Sequence, residues 1–237
     1  MPMPGYVSPE QIMRDREDYA RSGIEKGKDL VAMEYENGIV FVAENPHGTL
    51  NKISEIYDRI AFAAVGNHTE YEPLRAQGLQ AAEVKGYTYS REDVKARWLA
   101  NLYAQQIGSA FRQYEAKPLE VELLIAEIGE KRNLDNSMYH ISFDGTLWEE
   151  VEFASIGGHA DEIEEALEKK YEDKLPLEKA IKISVGVLSN INESELNASI
   201  LEIAALDRTR ERRKFRRLRF EEIAEILGEI IESDEEE

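Results

Sequence analysis

Lys52 is the side chain whose place in the sequence best suits the binding of an anion. It stands at the start of a predicted strand, next to the apolar Ile53, so its ammonium group is expected to project at one end of a sheet. A lysine offers a compact positive charge with three N–H donors, which can receive a carboxylate. An ordinary exposed lysine at a strand end is the alternative, and the sequence leaves both interpretations open.

Lys28 stands where one large class of sandwich-type hydrolases carries a nucleophile, at the start of the first strand. The strand is predicted over residues 30–35, and a second one over 39–43 pairs with it through the turn signal Asn37-Gly38. A lysine there cannot provide a hydroxyl or thiol nucleophile. The sequence therefore predicts such a scaffold without its reactive residue.

Other catalytic signatures are absent from the sequence. It contains no G-x-S-x-G, no phosphate loop, no G-x-G-x-x-G and no H-E-x-x-H. The four histidines lack ligand spacing, so neither a metal site nor a cofactor is expected; they are His47, His68, His140 and His159. The acidic stretches Glu149-Glu150 and Glu162 to Glu168 are interpreted as solvated faces rather than acid/base pairs.

The composition limits the partners and the compartment. A net charge of −19 argues against nucleic acid as the main partner. The basic run from Arg208 to Arg219 is interpreted as a solvated edge strand, with Phe215, Leu218 and Phe220 turned toward packing. No apolar run approaches the ~18 residues that cross a bilayer. With no cysteine and no signal peptide, the sequence predicts a cytoplasmic protein.

A capped helix is predicted to begin the ordered chain, over residues 8–25. Ser8 can cap it, Pro9 suits its first turn, and Gln11 has the spacing of a capping box. Its apolar positions are sparse, so it is expected on a surface or between subunits rather than in a core; they are Ile12, Met13, Tyr19, Ala20 and Ile24. The first seven residues are expected to be mobile.

The remaining elements alternate between pairs of strands and pairs of helices. Further strands are predicted over residues 52–58, 60–65, 120–128, 138–143, 151–156, 198–206 and 214–220. Helices are predicted over 68–84, 91–114, 161–171, 177–191 and at the end of the chain, where Ile223, Ile226, Leu227, Ile230 and Ile231 form an apolar face. This order predicts an α+β fold, a four-layer αββα sandwich in one domain over residues 1–231, followed by a disordered acidic tail over 232–237.

Residues 8–67 closely resemble the α-type subunits of the actinobacterial 20S proteasome. The resemblance lies in "SPEQ", "YARSGIEKG", "KISEIYDR" and "FAAVGN", and it continues in "GYTYSREDV", "LANLYAQ", "AKPLEVELLIAEIG" and "SFDG". It covers nearly the whole chain and becomes less clear after Leu206. The terminal "SDEEE" departs from the low-complexity ends of that family.

The resemblance implies the N-terminal-nucleophile hydrolase fold in a non-catalytic form. Active β-type relatives cut themselves after a glycine, and the freed threonine becomes both nucleophile and base. Gly27 aligns with that glycine, and Lys28 replaces the threonine. No catalytic residue is therefore expected, and peptidase activity is expected to reside in partner β subunits.

The resemblance also implies the partners and two sites. Family α subunits form seven-membered rings that flank β rings, and a hexameric ring ATPase delivers tagged proteins. Lys52 and Gly27 would form the pocket that receives the C-terminal carboxylate of the activator. The residues that would close the axial pore are Met1, Pro2, Met3, Pro4, Gly5, Tyr6, Val7, Ser8 and Pro9.

Two other functions stay open on the sequence. An active β-type threonine peptidase would need a hydroxyl residue at the start of the first strand, and the nearest ones, Ser22 and Thr49, do not stand there. A nucleic-acid-binding protein would use the run from Arg208 to Arg219, and its binding would be salt-sensitive.

Overall fold

The computed structural model describes residues 8–46, 48–129 and 135–229. Several predictions lie outside these residues: the gate segment from Met1 to Val7, His47, the helix positions Ile230 and Ile231, and the acidic tail. The predicted extent of one domain, residues 1–231, stays a prediction.

The described residues form ten strands, six α-helices and one 3-10 turn at Arg91–Asp93. The helices are α1 (Pro9–Glu25), α2 (His68–Thr88), α3 (Ala96–Arg112), α4 (Ala160–Glu168), α5 (Leu177–Ile191) and α6 (Phe220–Leu227). The strands are β1 (Leu30–Tyr35), β2 (Gly38–Glu44), β3 (Ile53–Tyr57), β4 (Ile60–Gly66), β5 (Val121–Glu127), β6 (Ser137–Ile141), β7 (Leu147–Glu150), β8 (Phe153–Ile156), β9 (Leu201–Asp207) and β10 (Phe215–Arg217).

Two five-stranded antiparallel sheets organise these elements. The first has the order β10-β9-β2-β1-β8, and the second has the order β3-β4-β5-β6-β7. The predicted hairpin is confirmed, because β1 and β2 pair from Leu30↔Ala43 to Tyr35↔Gly38. The two halves of the core therefore rest on separate sheets that must be held together by side chains.

Three apolar clusters define four layers. One lies between the sheets and includes Phe41 and Leu124. A second packs the first sheet against α4, α5 and α6, and a third packs the second sheet against α2 and α3. Successive side chains of a strand point to opposite faces of its sheet, so every central strand contributes residues to two clusters. The predicted four-layer αββα sandwich is confirmed.

One strand and the limits of one helix differ from the sequence-based prediction. The partner of β6 after the turn at Gly145 is β7, which the sequence analysis missed, and the next strand, β8, joins the other sheet. The long helix begins at Ala96 rather than Arg91 because Ser90 caps a separate 3-10 turn. Tyr114, the last residue of the predicted helix, lies beyond the helix end and is exposed.

The positions of β10, α6 and α1 also differ in part from the prediction. The edge strand β10 stops at Arg217, and Phe220 begins α6 with its side chain exposed rather than packed. Leu218 is buried as expected. Helix α1, predicted on a surface or between subunits rather than in a core, is largely exposed, but its Ala20 and Ile24 belong to the cluster between the sheets.

Arg16 fixes α1 to the end of α3. Its guanidinium donates to the carbonyl oxygens of Phe111 at 2.9 Å, Ala116 at 2.8 Å and Ala110 at 3.2 Å. The last carbonyls of a helix lack partners within the helix and carry partial negative charge, so a cation there satisfies both needs. This contact holds the N-terminal helix against the rest of the fold.

We predict that Arg16→Ala lowers the free energy of unfolding by about 2 kcal/mol, because several charge-assisted hydrogen bonds are lost. Chemical denaturation of the purified subunit measures the change. The matched control is Arg14→Ala, since Arg14 is exposed and forms no hydrogen bond or ion pair within the described residues. Equal effects of the two substitutions would contradict a specific role for Arg16.

Candidate functional site

Lys52 lies at the start of the second sheet, and its side chain turns back into the protein. The residue is 9% exposed. Its Nζ donates to the carbonyl oxygens of Gly27 at 2.5 Å and Lys28 at 3.2 Å, in the turn between α1 and β1. An ordinary exposed lysine is thus excluded. Because an ammonium has three N–H donors, one remains after these two bonds.

Gly27 is required by a close approach of two backbones. A Cβ at this position would lie 2.4 Å from the backbone nitrogen of Gly66 and 2.9 Å from its Cα. Any side chain would push the turn away from the end of β4 and move the carbonyl that Lys52 contacts. The structure therefore brings Gly27 and Lys52 together, as the sequence analysis expected.

Glu202 in β9 fixes the main chain around Lys52 from the other sheet. Its Oε2 accepts hydrogen bonds from the backbone N–H of Lys52 at 2.9 Å and from Asn45 Nδ2 at 2.7 Å. Its Oε1 accepts from the backbone N–H of Ile53 at 3.1 Å and from Arg217. The carboxylate is 6% exposed and fully engaged, so the strand start is rigidly placed.

Burial lowers the pKa of Lys52 to about 8, because the charged form loses solvation. The negative charges of Glu202, Glu44 and Asp29 act in the opposite direction, and the charge of Lys28 reinforces the decrease. A bound anion would favour the ammonium form further. Binding of an anion at Lys52 is thus linked to its protonation.

Lys28 and Glu44 form the second feature of this site. Lys28 has a left-handed backbone (φ 61°), and its Nζ lies 3.1 Å from Glu44 Oε1. Glu44 is 5% exposed, whereas the Lys28 side chain is 48% exposed. An ammonium accessible to solvent is therefore anchored by a buried carboxylate at the end of β2.

Two further carboxylates hold the loop that follows β8. Buried Asp29 accepts hydrogen bonds from the backbone N–H of His159 at 3.1 Å and lies 3.0 Å from its Nδ1, which raises the pKa of His159. Glu122 in β5 accepts from the backbone N–H of Gly157 at 3.1 Å. Burial raises the pKa of Glu122 to about 7 and lowers that of the nearby His140 to about 4.

The remaining predicted site residues are placed as follows. Ser8 caps α1 by accepting a hydrogen bond from the backbone N–H of Gln11 at 3.2 Å, and Pro9 is the first helical residue. The side chain of Gln11 donates to Asp15 instead of closing a capping box. Among residues 8–46, 48–129 and 135–229, no cluster of three or more possible metal ligands occurs. No described helix is long and apolar enough to cross a membrane.

The basic run from Arg208 to Arg219 and the two acidic stretches are less exposed to solvent than the sequence suggested. Several arginines of the run contact groups of the protein itself; these pairs are Arg208–Asn136, Arg213–Glu55, Arg216–Glu222 and Arg217–Glu202. Glu150 and Glu164 are half-buried rather than solvated, and burial raises the pKa of each. The arginines of the basic run are thus partly committed to intramolecular contacts.

The sequence analysis missed Glu44, Glu202 and Glu122. Each lies in or at the end of a largely apolar strand, as in "GIVFVAE" and "LEIAALD". A charge in such a run is rarely buried without a partner, so the pattern could have marked these residues. Their partners, however, come from distant parts of the chain.

The layered sandwich, with a docked helix before its first strand, is the fold of a proteasome-type subunit. The profile described as "Proteasome subunit" matches residues 24–206, and the chain belongs to this family. Within it, the chain is similar to proteins named proteasome subunit alpha. It is 48% identical to that of Thermobifida fusca, with 97% of this chain and 92% of the relative covered. It is 47% identical to that of Streptosporangium roseum (97% and 88%) and 48% identical to that of Acidimicrobium ferrooxidans (97% and 97%).

The α type of proteasome subunit is the non-catalytic type, and the site geometry agrees with it. The first strand is entered from α1 through Gly27, and Lys28 stands where a nucleophile would begin it. The carbonyl of Lys28 is engaged by Lys52 rather than by a reacting group. Lys28 and Lys52 present ammonium groups and carry no hydroxyl or thiol for attack.

We predict that Glu122 makes the fold less stable as pH rises. Its folded pKa of about 7 lies above the unfolded value of 4.5, so its stabilising contribution is complete below 4.5 and lost as pH passes 7. Glu122→Gln keeps an acceptor for Gly157 and should raise the melting temperature at pH 8 but not at pH 4.5. The control is Glu165→Gln on the exposed face of α4. A difference between wild type and Glu122→Gln that does not change with pH would contradict this assignment.

Proposed function

We propose that this chain forms the outer seven-membered rings of a cytoplasmic 20S proteasome with β subunits that carry the peptidase activity. Its N-terminal residues gate substrate entry, and Lys52 with Gly27 docks the C-terminal carboxylates of a hexameric ring ATPase that delivers tagged proteins. The family membership supports the ring-forming role. The single observation that carries the docking role is the buried ammonium of Lys52 with one uncommitted N–H.

The geometry of Lys52 favours a carboxylate over other ligands. A desolvated cation gains more from an anion than an exposed one does, since screening by water is weaker. The two carbonyl contacts fix the direction of the third N–H, which lowers the entropy lost on binding. Glu202 holds the main chain of Lys52, so the ligand meets a preorganised donor.

We predict that Lys52→Ala abolishes ATPase-stimulated protein degradation while the assembled particle still forms. The measurement is degradation of a tagged substrate by particles that contain the variant, with assembly followed by electron microscopy. Lys26→Ala is the matched control, because Lys26 is an exposed lysine of the same turn. Unchanged stimulation by the Lys52 variant would contradict docking at this residue.

The same site predicts a pH dependence of docking. Because the pKa of Lys52 is about 8, the ammonium is present below that pH and is lost as pH rises through it. A peptide carrying the C-terminal residues of the ATPase with a free carboxylate should therefore bind more weakly at pH 9 than at pH 7. This dependence should be absent in Lys52→Arg, because a guanidinium stays charged at pH 9.

The gate is proposed for residues 1–7, with Ser8 and Pro9 as its anchor. The cap made by Ser8 and the proline at the start of α1 fix the point from which the segment leaves the helix. Seven copies of a short segment around an axis could obstruct a pore, and displacing them would cost only a few weak contacts.

We predict that deletion of residues 1–7 raises the hydrolysis of a short fluorogenic peptide by α/β particles in the absence of an activator. Entry of the peptide would then no longer require displacement of the segment. Comparison of the deletion with full-length particles at equal concentration measures the effect. An equal rate for the two particles would show that residues 1–7 do not obstruct entry.

A further inference from the structure

Glu44 has an unused hydrogen-bonding capacity next to the docking lysine. Its Oε1 lies 3.1 Å from Lys28 Nζ, but its buried Oε2 accepts no hydrogen bond within the described part of the chain. A buried carboxylate oxygen without a donor costs free energy. The pair with Lys28 is thus held through one oxygen only, so Glu44 does not occupy all three N–H donors of the ammonium.

The backbone of Lys28 places both its carbonyl and its side chain toward this site. Its left-handed conformation costs an L-residue about 1 kcal/mol. In this conformation the carbonyl accepts a hydrogen bond from Lys52 Nζ at 3.2 Å while the side chain reaches Glu44. Since the Lys28 side chain is about half exposed, its remaining N–H donors are open to a ligand.

We propose that Lys28 is a second cation of the docking site and that Glu44 is its built-in counterion, which positions Lys28 and limits the affinity for an incoming carboxylate. The proposal rests on the docking role proposed above for Lys52. Lys28 and Lys52 would hold the two oxygens of one terminal carboxylate, and a C-terminal amide, neutral and with a single oxygen, would be rejected. Lys52 Nζ donates to the carbonyl of Lys28, and Lys28 Nζ contacts Glu44, so the three residues lie next to one another.

The ligand class follows from the charges of the pocket. Three cations, Lys28, Lys52 and Arg217, and three buried carboxylates, Glu44, Asp29 and Glu202, sum formally to zero, so a monovalent carboxylate brings the first net charge. The negative charge of Glu44 repels a bound carboxylate, whereas its Oε1 orients Lys28. Replacing it by glutamine keeps an oxygen acceptor and removes the repulsion.

The test is the affinity of assembled α/β particles for a peptide of the last ten residues of the activating ATPase, with either a free carboxylate or a C-terminal amide. We expect wild-type particles to prefer the acid strongly. Lys28→Asn should weaken the acid roughly fivefold and leave the amide unchanged, as expected for one partly exposed charge pair. Asparagine tolerates the left-handed backbone, so the fold is kept. Lys28→Arg should restore most of the preference.

Glu44→Gln should tighten the acid peptide roughly threefold without affecting the amide, and Lys28→Asn should remove this gain. If Lys52→Ala leaves acid binding intact, the docking role itself is wrong. If Lys52→Ala abolishes binding but Lys28→Asn keeps the wild-type acid preference, only the second-cation proposal is overturned. Equal weakening of acid and amide by Lys28→Asn, or no gain from Glu44→Gln, would also overturn it.

Discussion

The contact of the Lys52 ammonium with the carbonyls of Gly27 and Lys28 is the interaction on which the rest of the site depends. It joins the start of the second sheet to the turn that leads from α1 into the first sheet. Both partners must be brought close: Gly27 by its lack of a side chain against Gly66, and Lys52 by the buried carboxylate of Glu202. A lysine that is desolvated to this degree is stable only because these carbonyls and nearby carboxylates compensate its charge.

Helix α1 also constrains the turn at Gly27 and Lys28, which leads into β1. Its apolar residues Ala20 and Ile24 enter the core between the sheets, and Arg16 satisfies the carbonyls at the end of α3. Removal of this helix would therefore expose part of the core between the sheets. The chain thus keeps the scaffold of a hydrolase while the entrance to its first strand is covered by packed structure, consistent with a non-catalytic α-type subunit.

Buried carboxylates tie the two sheets and their loops together. Asp29, Glu122 and Glu202 all accept backbone N–H groups from distant segments. Glu122 receives one backbone donor, and burial raises its pKa. Glu202 accepts hydrogen bonds from two backbone N–H groups, an amide and an arginine. The number of donors that reach each carboxylate decides how well the fold accommodates its charge. Many carboxylates of this acidic chain are exposed to solvent. Asp29, Glu122 and Glu202 are distinguished from them by the hydrogen-bond donors that they contact.

The sequence by itself determined the elements whose signals are local. The β1–β2 hairpin follows from alternation and Asn37-Gly38, and the start of α1 follows from the cap at Ser8. It did not determine β7, whose residues Leu147–Glu150 have little apolar alternation and become a strand only by pairing with β6. It marked Lys52 but not its burial, because Glu202 lies 150 residues away in the chain and meets Lys52 only when the two sheets pack. Local periodicity encodes which face of an element is buried, whereas the tertiary structure alone decides which charged groups share that buried space.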